Sequence, residues 1–297
     1  MPSVTAARYG KDNIRIYKVV RDTTTTPPTH TVYEMIVCVL LEGDIETSYT
    51  QADNSVVVAT DTMKQTTYIF AKEHPVNPPE LFGATLAQHF VDTYKHIHTA
   101  HVSIIQHRWS RMEVNGAPHP HSFYRDGAEK RLVNADAIEG KGIEIRSGIA
   151  ELLVLKSTGS MVTGFVRDEY TVLPETYDRI LSTSVDAGWK WAIFPALTDV
   201  QKAVDQFDST HSKAREITFR LFAVEESPSV QNTMYKMCEE ILAAQPMVRD
   251  VDYNLPNKHY FEIDLSWHKG LKNTGKDAEV YVPQSDPNGL IKVTVSR

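Results

Sequence analysis

Histidines crowd one stretch of the chain and are the first residues whose spacing suggests chemistry. They are His96, His98, His101, His107, His119 and His121. On a strand, His96 and His98 would share one face and His101 would lie on the other, and neither an acidic partner nor a cysteine completes a recognisable ligand set. We therefore expect hydrogen-bonding histidines near a loop, with a metal site as the less favoured alternative.

The segment PNKH holds a second candidate site, because Asn257 and His259 are two residues apart. On an extended chain their side chains point the same way, which places an amide beside a titratable imidazole. His259 stands at the expected entry to a strand, where reactive groups are often held on a rigid scaffold. Such a pair suits proton handling, but a structural turn explains the same residues equally well.

Arg179 and Gln231 are candidates for binding a planar ligand. The guanidinium of Arg179 can hold two acceptors at once, although a salt bridge to Asp178 or Glu175 is the simpler explanation. Gln231 falls in the first turn of an expected helix, where free backbone N–H groups favour an anion. Its amide can both donate and accept, which suits the edge of an amide-like ring.

Lys11 and Thr60 form a possible base and hydroxyl pair. Lys11 follows Gly10, and Thr60 and Asp61 end the expected strand VVVATD. A desolvated lysine beside a threonine hydroxyl can act as a general base, because burial lowers the pKa of the amine. No local pattern brings Lys11 and Thr60 together, so the pair is a hypothesis.

The elements that must position these residues are mostly strands. Runs of β-branched and apolar residues, and strict alternation in the last of them, predict strands at 33–43, 102–109, 215–225 and 260–267. A helix is predicted at 78–95, with Asn77 as its cap and prolines in its first turn. A second is predicted at 228–243, with Ser227 as its cap and Pro228 in the first position.

The order of these elements in the first half of the chain is echoed in the second half. The boundary falls near residues 140–147, after a charged polar stretch. The echo predicts two similar α+β domains, residues 1–140 and 141–297, each an antiparallel sheet with helices on one face.

Composition excludes several classes of protein. Of the 297 residues 41% are hydrophobic, enough for a core, and the net charge of −7 without a basic block disfavours general nucleic-acid binding. No apolar run approaches a membrane span, and no secretory signal is expected at the N-terminus. The two cysteines, Cys38 and Cys238, sit in apolar contexts typical of buried thiols in a reducing compartment.

Segments spread in order over nearly the whole chain resemble urate oxidase (uricase). They are YGKDN (9–13), LLEGDIETSYTQADNS (40–55), VATDT (58–62), PPELFG (78–83), GAPHPHSF (116–123), LKSTGS (155–160), DRILSTSVDA (178–187), SPSVQNTMYKM (227–237), LPNKHYFEIDLSWHKGL (255–271) and SDPNGLIK (285–292). So many ordered matches make the family assignment specific.

The resemblance implies a fold, an assembly and a reaction. It implies two tandem tunnelling-fold (T-fold) domains, with antiparallel sheets and outer helices that assemble into a barrel-like tunnel. It also implies a homotetramer with active sites at subunit interfaces. The reaction is oxidation of urate by O2 and water to 5-hydroxyisourate and hydrogen peroxide, part of purine metabolism, with no metal or organic cofactor, no nucleic acid and no membrane.

Roles follow from the resemblance residue by residue. Arg179 and Gln231 would clamp urate, with the Val230 N–H also facing the ring, and Ile291 would line the oxygen side. Asn257 would hold O2 or water above the ring, and His259 would steer a proton relay. Lys11 would activate Thr60. Thr60 and Asp61 would also bind the substrate and would come from the adjacent subunit.

One residue departs from the family pattern. The family usually carries a phenylalanine that stacks on urate shortly after LKST, and this chain has Val162 there. Losing ring-on-ring stacking removes roughly 0.5–1.5 kcal/mol, which predicts urate binding weaker by up to about tenfold. Phe165 could take its place if the loop shifted, but the two residues between Val162 and Phe165 argue against this.

Two other functions remain as alternatives. One is a pterin-handling cyclohydrolase or synthase on the same fold, which needs a metal site that the histidine spacing does not supply. The other is a purine-binding protein that has lost catalysis, against which Lys11, Thr60 and His259 argue. The resemblance implies a peroxisomal location, but the chain ends in Val295-Ser296-Arg297 without the Ser-Lys-Leu-like signal, so the other expectation is cytoplasmic.

Overall fold

One antiparallel sheet of eight strands organises the fold, which the computed structural model describes for residues 2–297, with only the backbone of Ser285. Ten strands are present, namely β1 Tyr9–Asp22, β2 Thr29–Gly43, β3 Ile97–His107, β4 Ser110–Val114, β5 Ala117–Tyr124, β6 Lys130–Ile138, β7 Gly142–Lys156, β8 Leu181–Trp191, β9 Val248–Glu262 and β10 Tyr281–Ser296. The large sheet has the order β1-β2-β3-β6-β7-β8-β9-β10, while β4 and β5 form a separate hairpin. β1 and β10 are therefore the two edges of the sheet.

Helices cover one face of this sheet. They are α1 Glu46–Thr50, α2 Thr60–Glu73, α3 Pro79–Thr93, α4 Leu197–Lys202, α5 Val204–Val224 and α6 Val230–Ala244, with short 3-10 turns at Asn54–Val56 and Gly275–Asp277. α2 packs on β1, α3 on β3 and β6, α5 on β7, and α6 on β9 and β10. The result is a two-layer α+β structure.

The core lies between the helices and the sheet. Alternate residues of β2, namely Met35, Val37 and Val39, are fully buried on the helix side, while the residues between them are only half-buried. This alternation is what a sheet with one covered face requires. The other face carries polar side chains on most of the central strands.

The strand and helix predictions for the best-patterned segments are confirmed. Residues 33–43 lie within β2, and 102–107 of the strand predicted at 102–109 lie within β3, which ends at His107, so the prediction is wrong for the last two residues. The helix predicted at 78–95 spans Pro79–Thr93, although Pro78 takes the cap position and Asn77 instead donates to Asp208, at 2.8 Å. The α+β class with antiparallel strands is confirmed as well.

The strand predicted at 215–225 is wrong, because these residues belong to the helix α5. Its buried residues follow helical spacing, namely Phe207, Ala214, Ile217 and Leu221. That spacing is hidden in a short window of the sequence, where β-branched and aromatic residues such as those of ITF suggest a strand. The strand predicted at 260–267 is wrong beyond Glu262. There the Asp264 carboxylate accepts a hydrogen bond from the Ser266 N–H, at 2.8 Å, and the chain turns.

The element order repeats along the chain. The repeated unit is two strands, two helices and two further strands. It occurs first as β1, β2, α2, α3, β3 and β6, and again as β7, β8, α5, α6, β9 and β10. The two series join in one sheet, since β6 pairs with β7 along its whole length. The division at 140–141 stays a prediction.

A buried ionic network ties the first series to the second. Glu80 of α3 is fully buried; its carboxylate accepts from Arg131 of β6, at 2.7 Å, and from the Ser147 hydroxyl of β7, at 2.7 Å. Trp191 of β8 donates to the same hydroxyl, and Arg131 also pairs with Asp208 of α5, at 2.5 Å. One arginine therefore neutralises a carboxylate that has no access to water.

We expect Arg131→Ala to lower the free energy of unfolding by about 3–5 kcal/mol, since it leaves the Glu80 charge buried and unpaired. Denaturant unfolding at fixed protein concentration measures this. Lys213→Ala is the matched control, because Lys213 pairs with Glu216 on the exposed surface of α5 and should change stability by less than about 0.5 kcal/mol. Equal effects of the two substitutions would contradict the assignment.

Candidate active site

Arg179 is held beside the start of helix α6 by backbone hydrogen bonds of the β7–β8 loop. Its N–H donates to the Ser160 carbonyl, at 2.9 Å. Ser160 in turn lies next to Ser227, since the Met161 N–H donates to the Ser227 carbonyl and the Ser227 N–H to the Gly159 carbonyl, both at 3.1 Å. These bonds bring together segments that are far apart in the sequence.

Gln231 and Val230 occupy the first turn of α6, as predicted for Gln231. The prediction that Ser227 caps this helix and Pro228 begins it is wrong, because the helix starts at Val230 and Ser229 accepts from the Asn232 N–H. Ser227 instead bonds to the Thr233 hydroxyl, at 2.8 Å, inside the core. The Ser229 hydroxyl donates to the Gln231 side-chain oxygen, at 3.1 Å, which orients that amide.

Asn257, His259 and Ile291 complete this group from β9 and β10. Asn257 pairs with Thr183 on one side and Gly289 on the other, and Ile291 pairs with Leu255. Asn257 and His259 are alternate residues of one strand, so their side chains share a face, as predicted. The prediction that His259 stands at a strand entry is wrong, since it lies near the end of β9.

A narrow, mainly apolar pocket, with a cavity volume of about 10 Å³ and so room for about one water molecule, joins several of these residues. It is lined by Val230, Asn257 and Ile291 together with Leu181, Thr183, Phe222, Ser227, Thr233, Met237 and Leu255. Its lining, mostly apolar with a few polar groups, is of the kind found in small-molecule sites.

Unpaired polar atoms occur in this pocket, at Thr183, and in the loop that is bonded to it through Ser227. In the described part of the chain, the buried Nε of Arg179 and the buried hydroxyls of Ser160 and Thr183 have no hydrogen-bond partner. The alternative salt bridges are not formed, because Asp178 accepts from Thr158 and Gly159 and Glu175 accepts from Gly164 and Tyr177. Each buried polar group without a partner costs about 1–3 kcal/mol, so this cluster has the form of a site completed by a ligand.

Burial also lowers the pKa of the Arg179 guanidinium, because desolvation disfavours its charge. An acceptor-rich, anionic ligand would relieve that cost. Sequence reasoning missed Ser160 and Thr183, since nothing in a short polar stretch such as STGS or LSTS shows that a hydroxyl will be buried without a partner.

Val162 lies on the same loop as Ser160. Its backbone exchanges two hydrogen bonds with Thr176, at 2.8 and 2.9 Å, and its side chain is half-buried. Phe165 is engaged elsewhere, with the Arg167 guanidinium 5.2 Å from its ring centre. The loop therefore presents an aliphatic side chain near the pocket.

Lys11, Thr60 and Asp61 form a separate group at the other edge of the sheet. Lys11 lies at a β-bulge of β1, where Asn13 has a positive φ of 58°. The hydrogen bond from Lys64 lowers the pKa of Asp61, and the positive charge of Lys11 also contributes, so Lys11 lies near the start of α2. Lys11 thus lies close enough to the Thr60–Asp61 segment for its charge to act on Asp61.

The prediction that Thr60 and Asp61 end a strand is wrong, because Thr60 is the first residue of α2. The valine run before it pairs with no strand; it passes from a 3-10 turn directly into the helix. Asp61 in the first turn suits the positive end of the helix dipole.

The two groups do not meet within one chain. β1 carries Lys11 at one edge, and β9 and β10 carry His259 and Ile291 at the other, with β2, β3, β6, β7 and β8 between them. Strands spaced about 4.8 Å apart separate β1 from β9 by roughly 29 Å along the sheet.

The histidine-rich stretch is built around carboxylates that sequence reasoning did not pair with it. His101 lies between Asp136, at 2.9 Å, and Glu42, at 3.0 Å. His98 contacts Glu139, at 2.5 Å, and Asp44, at 3.2 Å. No group of three or more metal-binding side chains arranged to hold an ion occurs among residues 2–297 as described.

Comparisons with known proteins agree over the whole chain. A family model described as Uricase matches residues 7–136 and 145–292. The uricase of Aspergillus flavus is 63% identical over 100% of this chain and 98% of its own length, and that of Schizosaccharomyces pombe is 48% identical over 97% and 96%. The crystal structure of uricase from Arthrobacter globiformis matches with a TM-score of 0.87 and 34% identity, covering 100% of this chain and 96% of that one.

We expect the His101 ion pairs to make stability depend on pH. The hydrogen bond to Asp136 and the charges of Asp136 and Glu42 raise the pKa of His101 above its usual 6.5, against the opposing effect of burial. The contribution is therefore complete below pH 6.5 and is lost as the pH rises through the raised value.

His101→Gln should accordingly lower the free energy of unfolding by about 1–2 kcal/mol at pH 6 and by less at pH 9. Denaturant unfolding at both pH values measures the difference. His268→Gln, at an exposed histidine, serves as the control. A stability loss that grows with pH would contradict the direction of the pKa shift.

Proposed function

Because this chain belongs to the uricase family, we propose that it oxidises urate with O2 and water to 5-hydroxyisourate and hydrogen peroxide, without a metal or organic cofactor. The reaction balances: urate loses two electrons and gains one oxygen from water, and O2 takes up two electrons and two protons. The observation that carries the proposal is the half-buried Arg179, whose buried Nε has no hydrogen-bond partner among the described residues. Its loop is bonded through Ser160 and Met161 to Ser227, which lines the apolar pocket just before the helix turn that holds Gln231.

Urate fits the clamp by its chemistry. It is a flat anion whose edges alternate N–H donors and carbonyl acceptors, so a guanidinium fork on one edge and a glutamine amide on the other hold it in plane. The Val230 N–H, in the first turn of α6, is free to donate to the same ring. Purines without oxo groups would leave Arg179 unpaired, which gives selectivity.

The apolar side of the pocket suits O2. Ile291 and Val230 line it, and Asn257 adds one polar group that can hold O2 or water above the ring. His259 lies on the same face as Asn257 and would steer protons toward it. Removal of a second proton from urate gives an electron-rich dianion that can pass an electron to O2 directly.

Lys11 and Thr60 would take up that proton. Since they lie at the opposite edge of the sheet, we propose that they and Asp61 serve the clamp of an adjacent subunit. Two long edge strands, β1 and β10, are available for pairing between copies. Such pairing would extend the sheets into a barrel-like tunnel in a homotetramer, each chain contributing two tandem T-fold domains, 1–140 and 141–297.

The location of the protein is proposed on the family resemblance alone and is peroxisomal. The described part of the chain has no helix long and apolar enough to cross a bilayer.

The first test is release of peroxide when urate is added to metal-stripped protein, followed together with loss of urate absorbance. We expect one peroxide per urate consumed. A pterin-handling enzyme would need its metal restored before acting on its own substrate, and a purine-binding protein would bind urate without releasing peroxide. Either result would overturn the proposal.

Lys11→Met should then lower kcat by about 10²–10⁴-fold with little change in KM, as expected for loss of a general base. Lys72→Met, at an exposed lysine near the end of α2, is the control and should keep normal kinetics. A change in KM alone would show that Lys11 binds urate and does not relay its proton.

Val162→Phe should lower KM for urate by up to about tenfold, because an aromatic ring adds stacking to the existing apolar contact. Val166→Phe is the matched control on the same loop, where the side chain is 92% exposed. Steady-state kinetics with both variants measure the difference. An unchanged KM would mean that Val162 does not face the urate ring.

A further inference from the structure

Tyr9 connects the strand that carries Lys11 to the segment that leads into Thr60. Its hydroxyl oxygen accepts a hydrogen bond from the Val58 N–H, at 2.6 Å. Tyr9 begins β1 two residues before Lys11, and Val58 comes two residues before Thr60, the first residue of α2. One side-chain bond thus joins two parts of the chain that are 49 residues apart.

The bond satisfies a backbone donor that lies outside the sheet and the helices. Val58 lies between the 3-10 turn Asn54–Val56 and α2, outside any strand, and its side chain is buried. A buried backbone N–H in such a segment needs a partner from elsewhere in the fold. The Tyr9 hydroxyl supplies it, and the position of Val58 fixes where α2 begins.

The strand at the other end of the bond is held equally closely. Gly10, between Tyr9 and Lys11, lies so near β2 that a Cβ there would come within 1.8 Å of the Val39 carbonyl oxygen. Tyr9 and Lys11 are alternate residues and so lie on the same face of β1, the face on which α2 packs. The position of Lys11 relative to α2 therefore depends on two contacts. One is the close approach of Gly10 to β2, and the other is the hydrogen bond between Tyr9 and Val58.

We infer that Tyr9 is a positioning residue for the Lys11–Thr60 pair, setting the distance between the amine and the hydroxyl through its bond to Val58. The inference rests on the proposed function, in which these two residues relay a proton. Proton transfer requires heavy atoms about 2.6–3.2 Å apart, and a displacement near 1 Å can cost about 10²-fold in rate. Burial raises the pKa of Tyr9, so the phenol stays neutral while Lys11 works.

Tyr9→Phe tests the inference, because it keeps the ring and removes only the acceptor. We expect kcat to fall at least about tenfold with an unchanged KM for urate, since Arg179 and Gln231, which hold urate in the proposed function, belong to the other chain and keep their positions. In a Lys11→Met background the same substitution should have no further effect on kcat. Tyr17→Phe, at a 58% exposed tyrosine of the same strand, is the control.

The outcomes separate the inference from the function on which it rests. Wild-type kcat in Tyr9→Phe, with a low kcat in Lys11→Met, overturns the positioning role and leaves the relay standing. An equal loss in both backgrounds, or a rise in KM, shows general damage to the fold and also overturns it. Wild-type kcat in Lys11→Met overturns the relay and the positioning role together. Melting temperatures of all variants show whether the assayed protein is folded.

Discussion

The antiparallel ladder from β1 to β10 is the constraint on which the rest of the structure depends. It joins both repeats in one sheet, directs the apolar face toward the helices and leaves the first and last strands as its edges. Because Lys11 and Thr60 lie at one edge and the strands that carry Asn257, His259 and Ile291 lie at the other, the sheet also separates the two parts of the proposed site. A single chain holds both parts but does not join them.

At each edge, local backbone features (hydrogen bonds at one edge, a β-bulge at the other) hold a polar side chain for which the described part of the chain supplies no hydrogen-bond partner. Arg179 is fixed by backbone bonds through Ser160 to Ser227, and its Nε has no hydrogen-bond partner among the described residues. Lys11 is fixed by a bulge and by its neighbours in β1. Such unpaired groups lower the stability of the free protein, and a bound planar anion would offset that loss.

Strands and helices could be predicted from the sequence where the apolar residues repeat with one clear period. The predictions failed where residues outside a short window determine the element. β2 and α3 follow clear periods of two and of three to four, whereas the β-branched run in α5 looks like a strand in a short window. The site residues were predictable as types, mostly through family resemblance. Their grouping was not, because the bonds between Ser160 and Ser227 join loops that no local pattern relates.

The central claim is that each active site draws Lys11 from one chain and Arg179 from another, and subunit complementation tests it most directly. We expect two variants, Lys11→Ala and Arg179→Ala, each to be inactive alone. The two variants would carry different affinity tags and be refolded together, and oligomers that contain both tags would be isolated. Random mixing predicts recovery of about a quarter of wild-type activity, since some interfaces then combine an intact Lys11 with an intact Arg179. Mixed oligomers without any activity would contradict the claim.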